Sequence, residues 1–171
     1  MKLNRCPLRI LPCSLTWSSA TLALALGLQL FLPARTARAA LGDDVAAVAA
    51  DQMRMEASLQ IWRRGNYAIH ELGVPTGGKI RHFVGDGGKV FAVSWSGGWR
   101  PNLRDIMGDH YDKFIAATRG KRVARGVARI ELPGMVVVMG GHQRAFWGHV
   151  YLTDLLPAGF TFADGGQGSH E

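Results

Sequence analysis

The sequence predicts an α+β domain in which a largely antiparallel sheet of about six strands packs on one main helix, with an N-terminal helix. Two observations carry this. Runs of alternating apolar and polar residues fall into two groups, and one amphipathic helical segment separates the groups. Within each group only turn compositions intervene, so each folds back on itself as a meander. The order helix, strands, helix, strands is an α+β pattern and not a strictly alternating α/β one.

In chain order, Lys2, Arg5 and Arg9 precede an apolar stretch that is densest from Leu22 to Leu32. "PARTARAALGDD" follows, with Ala37 and Ala39 at the −3 and −1 positions of a small-x-small cleavage signal. Residues 1–39 thus read as a signal peptide cut before Ala40, residues 40–162 as a single domain, and residues 163–171, "ADGGQGSHE", as a disordered tail without an apolar anchor. Thr16, Ser18, Ser19 and Gln29 interrupt the apolar stretch, and a membrane-spanning helix needs about 20 apolar residues. An uncleaved anchor flanked by Arg35 and Arg38 is therefore the lesser alternative, and the expected location is periplasmic or secreted.

Removing the leader changes the composition argument. Five of the 20 basic residues and none of the 13 acidic ones precede position 40, so the mature net charge falls from +7 to +2. The basic balance belongs mainly to the leader and gives no support to nucleic-acid binding. Cys6 and Cys13 also lie in the leader. A mature chain without thiols has no disulfide, no Cys-ligated metal and no Cys nucleophile.

The Ala- and Met-rich segment from Asp43 to about Ser58 predicts the first helix, with Val45, Val48, Gln52 and Met55 loosely spaced on one side. "NYAIHEL", "KIRHFV" and "KVFAVSW" are three period-two runs parted by "GVPTGG" and "GDGG"; Asp86-Gly87 marks the second turn. A helix is expected over Leu103 to Thr118, entered through Pro101, capped by Asn102 with Asp105 as its box-like partner. Leu103, Ile106, Met107, Tyr111, Phe114 and Ile115 share its apolar face, while Gly108 in its interior suggests close packing there. "RVARGVARIEL", "MVVVMG" and "RAFWGHVYL" give the second meander, and the all-apolar "MVVVM" belongs to a strand covered on both faces.

Several chemical motifs are incomplete. Gly73, Gly78 and Lys79 match a phosphate-loop pattern, but Ile80 replaces the magnesium-binding Ser or Thr and a strand follows where a helix is required. His70-Glu71 begins a zinc signature whose second histidine would stand at Val74. His70 and His82 could meet across strands, yet a metal needs further ligands. Ser94 and Ser96 do not complete the nucleophile-elbow pattern, in which Gly98 alone matches, and Asp105, Asp109 and Asp112 read as a solvated helix face. No metal and no cofactor is expected.

Aromatic residues remain. Trp95, Trp99, Phe146, Trp147 and Tyr151 fall in two regions that can be spatial neighbours. Trp95 and Phe146 read as core. Trp99, Arg100, His142, Arg144, Trp147 and His149 are the candidate ligand-binding set, because aromatic faces beside Arg and His suit sugar rings or peptide side chains.

"ALGDD", "VFAVSWSG", "PNLRDIMGDHYDKF" and "GGHQRAFWGHVYLTDLLPAGF" together resemble the domain of unknown function 2844 family over nearly the whole mature chain. Gly98 stands where that family is expected to have a proline. The resemblance implies a small exported bacterial protein and carries over no catalytic or binding residue. The expectation is a non-enzymatic binding or accessory module of the cell envelope, its partner an envelope protein, glycan or peptide. Alternatives are a small periplasmic hydrolase with a fold-assembled His/Asp/Ser site, and a structural partner of another envelope protein.

Overall fold

A computed structural model of the protein describes residues 40–120 and 126–162. The predicted signal peptide, residues 121–125 and the predicted tail lie outside the described residues. Helix α1 (Ala46–Arg54) leads into strands β1 (Ser58–Arg64), β2 (Tyr67–Gly73), β3 (Lys79–Gly85) and β4 (Val90–Gly97). Helices α2 (Leu103–Met107) and α3 (Tyr111–Thr118) follow, and then β5 (Ala128–Leu132), β6 (Met135–His142) and β7 (Ala145–Leu152). All pairings are antiparallel, in the order β1-β2-β3-β4-β7-β6-β5. No helix among the described residues is long and apolar enough to cross a membrane.

The α+β class and the antiparallel sheet stand, with seven strands where about six were expected. The additional strand is β1, "SLQIWRR", an edge strand whose residues are almost all exposed. It has no buried face to impose a period-two signature, and the Ala-rich helix pattern runs into it. The expected main helix is two short ones. Gly108 ends α2 in a left-handed conformation, with φ +53°, and a 3-10 turn (Gly108–His110) redirects the chain into α3. Asn102 caps α2 as expected, its side-chain oxygen accepting from the Arg104 amide at 3.1 Å. The hairpin between β3 and β4 forms, but its left-handed residue is Gly88, with φ +72°, and not Gly87.

The two faces of the sheet have different covers. Leu72, Ile80, Val93, Trp95, Met135, Val137 and Val150 bury one face against Val48 of α1, Ile106 and Met107 of α2 and Phe114 of α3. On the other face Ile69, Phe83, Phe91 and Ala92 form a smaller core with Tyr67, Tyr151, Leu156, Phe160 and Phe162. Phe160 stands edge-on to Phe91 at 4.9 Å and to Phe83 at 5.4 Å, geometries favoured by the ring quadrupoles. The segment after β7 is thus a strap over half of the second face. Strand β6 is buried on both sides, as "MVVVM" predicts, although it lies second from the edge.

Cross-strand contacts between tryptophan and glycine hold the sheet together at its middle. Trp95 and Gly148 are register partners, and a β-carbon on Gly148 would stand 2.7 Å from Trp95 Cε2 and 2.9 Å from the Val138 carbonyl. Trp147 lies over its own partner Gly140, where an added β-carbon would meet its ring at 2.9 Å. Each glycine lets an indole lie flat on the neighbouring backbone. Gly148→Ala should therefore cost about 2–3 kcal/mol, since the backbone carbonyl leaves the ring nowhere to move. Gly87→Ala, in open space, should stay within about 0.5 kcal/mol. Urea unfolding of the two variants measures the contrast.

Candidate functional site

A set of polar residues lies on the half of the second face that, among the described residues, the strap leaves uncovered. One transverse row runs Gln60, Glu71, Arg81, Ser94, His149, Val138, Arg129 across all seven strands. The adjacent row runs Ser58, Gly73, Lys79, Ser96, Trp147, Gly140. Ser58, Gly73 and Lys79 also line a shallow depression of about 440 Å³ with Glu56, Val74 and Pro75. Trp147 lies on an interior strand and is still 37% exposed. Trp62, on the same face at the β1 edge, is 39% exposed.

Charges on this face are largely matched. Glu71 is only 6% exposed, accepts a 2.6 Å hydrogen bond from Arg81 Nε and stands 3.3 Å from Lys79 Nζ. The two longer cationic chains shield the acid, which keeps a buried carboxylate in a hydrogen-bonded pair. At the far end of the row Arg129 Nε donates to Glu131 at 2.7 Å. His149 stacks on Phe162 with ring centroids 4.0 Å apart. Burial first, and the Arg129 guanidinium second, push its imidazole down to about 4, so the ring is neutral at physiological pH.

The structure gathers most of the candidate set at one end of the sheet and divides it between the two sides. Gly97 packs against the Gly78 backbone and Gly98 against the Arg144 backbone, which joins the β2–β3 turn, the β4–α2 loop and the β6–β7 hairpin. Arg100 lies over the Phe146 ring at 4.6 Å. His142 and Arg144 are exposed on the two-residue hairpin, with Arg144 at φ +73°. Trp99 faces the other way: its indole lies on Gly78 and packs against the helix-side core. Its Nε1–H is buried with no hydrogen-bond partner among the described residues, where packing holds the ring. Trp147 and His149 belong to the uncovered face. Trp99 and Trp147 therefore do not form one platform.

Sequence reasoning did not single out Gln60, Trp62, Glu71, Lys79, Arg81 or Ser96 as members of one surface. The usable signal was phase: Glu71, Arg81 and Ser94 each alternate with the residues that their strands turn to the helix-side core, Leu72, Ile80 and Trp95 among them, and a meander puts residues of one phase in one row.

His70 and His82 are register partners on the helix-side face, with His82 only 1% exposed. Desolvation and then Arg63 lower the pKa of His70. Among the described residues no three His, Cys, Asp or Glu are placed to hold a metal ion. The phosphate-loop-like segment is a turn between β2 and β3, closed by Val74 N–H donating to the Gly78 carbonyl at 2.8 Å. Ser94 and His149 are also register partners, which places a hydroxyl beside an imidazole. A triad base needs a carboxylate to orient it. Here the charge acting on His149 is Arg129, which disfavours the imidazolium such catalysis must form.

The His149 shift has a stability consequence with a definite sign. The unfolded chain takes up the proton near pH 6.5 and the folded one near 4, so folding stability is intact above 6.5 and falls as pH drops through that window. His149→Phe keeps the stacking surface and removes the titration. After allowance for solvent screening at a half-buried ring, the variant should lose about 1 kcal/mol less than the parent between those pH values, measured by urea midpoints.

Among curated proteins and solved structures, none matches the chain. The family described as "Protein of unknown function (DUF2844)" matches residues 37–164, covering every described strand and helix. The chain belongs to that family.

Proposed function

We propose that the protein is a non-enzymatic binding module of the cell envelope, and that it presents the uncovered half of its second sheet face to a neutral, polar ligand such as an envelope glycan. One observation carries this reading: Trp147 stays 37% exposed on an interior strand, in line with Ser96, Lys79 and the depression beside Ser58. Interior strands normally bury their large aromatics, and an exposed indole beside hydroxyl and amine groups suits the apolar face and hydroxyls of a sugar ring.

Charge balance narrows the ligand class. Glu71 is shared by Lys79 and Arg81 and so offsets one of the two, Glu131 offsets Arg129, and His149 is neutral, which leaves these groups a net charge of +1. A polyanion would find little to bind. Trp62 and Trp147 are separated by four strand spacings across the sheet, about 19 Å, and by four residues along it, about 13 Å, which leaves room for several sugar rings between them. Export of the mature chain through the cleaved leader would bring this face to such ligands.

Titration of the mature protein with soluble peptidoglycan fragments and lipopolysaccharide-core oligosaccharides, followed by amide NMR, tests the reading. Shifts should concentrate at Lys79, Ser94, Ser96 and Trp147, and Trp147→Ala should weaken binding about tenfold or more. Shifts confined to the helix-covered face, no shifts with any fragment, or ester or amide turnover abolished by Ser94→Ala would each overturn it.

A further inference from the structure

We propose that the bond between Ala39 and Ala40 is a processing site whose product the fold uses: the freed α-ammonium of Ala40 docks on the Asp43 carboxylate and pins the start of the chain to the domain. This rests on the reading of residues 1–39 as an export leader. The seat itself is independent of it.

Ala40 is 3% exposed, and its backbone nitrogen stands 3.2 Å from Asp43 Oδ2. Asp43 returns its own N–H to the Ala40 carbonyl at 3.0 Å, so residues 40–43 form a closed turn. Beyond it the chain is tied down at each step. Leu41 N–H donates to the Ile106 carbonyl of α2 at 2.9 Å, Gly42 N–H to the Val90 carbonyl at 2.8 Å, and Val90 N–H to the Asp43 carbonyl at 2.9 Å. The Ala40 methyl fits against Gly108, where an added β-carbon would stand only 2.5 Å away. The glycine that breaks the helix is the one on which the predicted first mature residue rests.

Adjacent acids divide the work. Asp44 Oδ1 accepts from the Ala46 amide at 3.1 Å and serves the start of α1. Asp43 is left facing the Ala40 nitrogen. In the precursor that nitrogen is a neutral amide with one N–H to give. Hydrolysis adds water across the Ala39–Ala40 amide: Ala39 leaves as a carboxylate, and the Ala40 amine takes up a proton at neutral pH. The contact changes from a neutral donor on a carboxylate to a charge-assisted pair, roughly twice as strong. Processing thereby makes the product more stable than the precursor, and a chain that must still cross a membrane stays easier to unfold.

Expression of the full chain with export, followed by intact-mass analysis, should give a product beginning at Ala40; a different first residue overturns the processing site. Thermal melts of that product, with and without Nα-acetylation, then test the docking. Acetylation should lower the midpoint by about 3 °C in the parent and leave Asp43→Asn unchanged. The α-ammonium contributes below its unfolded pKa of about 8, so the gap between free and acetylated forms should close as pH rises past about 9. An equal effect of acetylation with Asp43 and with Asn, or a gap that persists at high pH, overturns the docking.

Discussion

The pairing of β4 with β7 is the constraint on which the rest of the molecule depends. Each meander pairs only within itself except along this seam, from Ala92 opposite Tyr151 to Gly97 opposite Phe146. Strands of such different sequence position come together at a cost in chain entropy that local turns do not offset. The seam repays this with Val93 against Val150, both fully buried, and with Trp95 lying flat on Gly148. Gly148 is the residue that makes the match possible, because any side chain there would displace the largest core aromatic from the centre of the sheet.

Once the seam is set, the faces follow. Trp95 and its neighbours point to the side on which the helices sit, so all three helices are spent on one face. The opposite face must find its cover elsewhere. Phe160 and Phe162 supply it for the half around Phe83 and Phe91, since the chain leaving β7 emerges beside them. The strap reaches as far as His149, whose stacking on Phe162 marks its border. Beyond that border the face is paved by Arg81, Lys79 and Trp147.

Much of this was legible in the residues. The two meanders, the α2 cap at Asn102 and the close packing at Gly108 follow from period, turn composition and capping chemistry. What escaped has physical causes. Strand β1 is an exposed edge, and exposure removes the alternation by which strands are read. The left-handed glycine that breaks the main helix is compatible with helical spacing on either side of it, so the stripe from Leu103 to Ile115 looks continuous. For the site, Trp99 and Trp147 sit near one end of the sheet but on opposite sides of it: the phase of β7 sets the side of Trp147, whereas the path of the loop after β4 sets that of Trp99, and a loop path has no periodic signature in the sequence. The row through Glu71, Arg81 and Ser94 needed only the phase of each strand.

The two edges of the sheet help to choose between a face and an edge as the working surface. Strand β5 is short and carries the Arg129–Glu131 pair, both features that discourage another strand from adding to it. Strand β1 is longer and shows Ile61 and Trp62 to solvent, 52% and 39% exposed, which by themselves would favour strand addition. Arg63 and Arg64 follow immediately, with Gly65 beyond them. Two arginines on one strand would bring four cations together if a second copy added its own β1, and charged edge residues are a common guard against such pairing. Trp62 points to the same face as Glu71 and Arg81, in the row of Ile69 and Phe83, where it marks the edge of the strap-covered half. An edge guarded by charge, beside a face that the strap leaves open, makes the face and not the edge the surface on which the proposed binding reading rests.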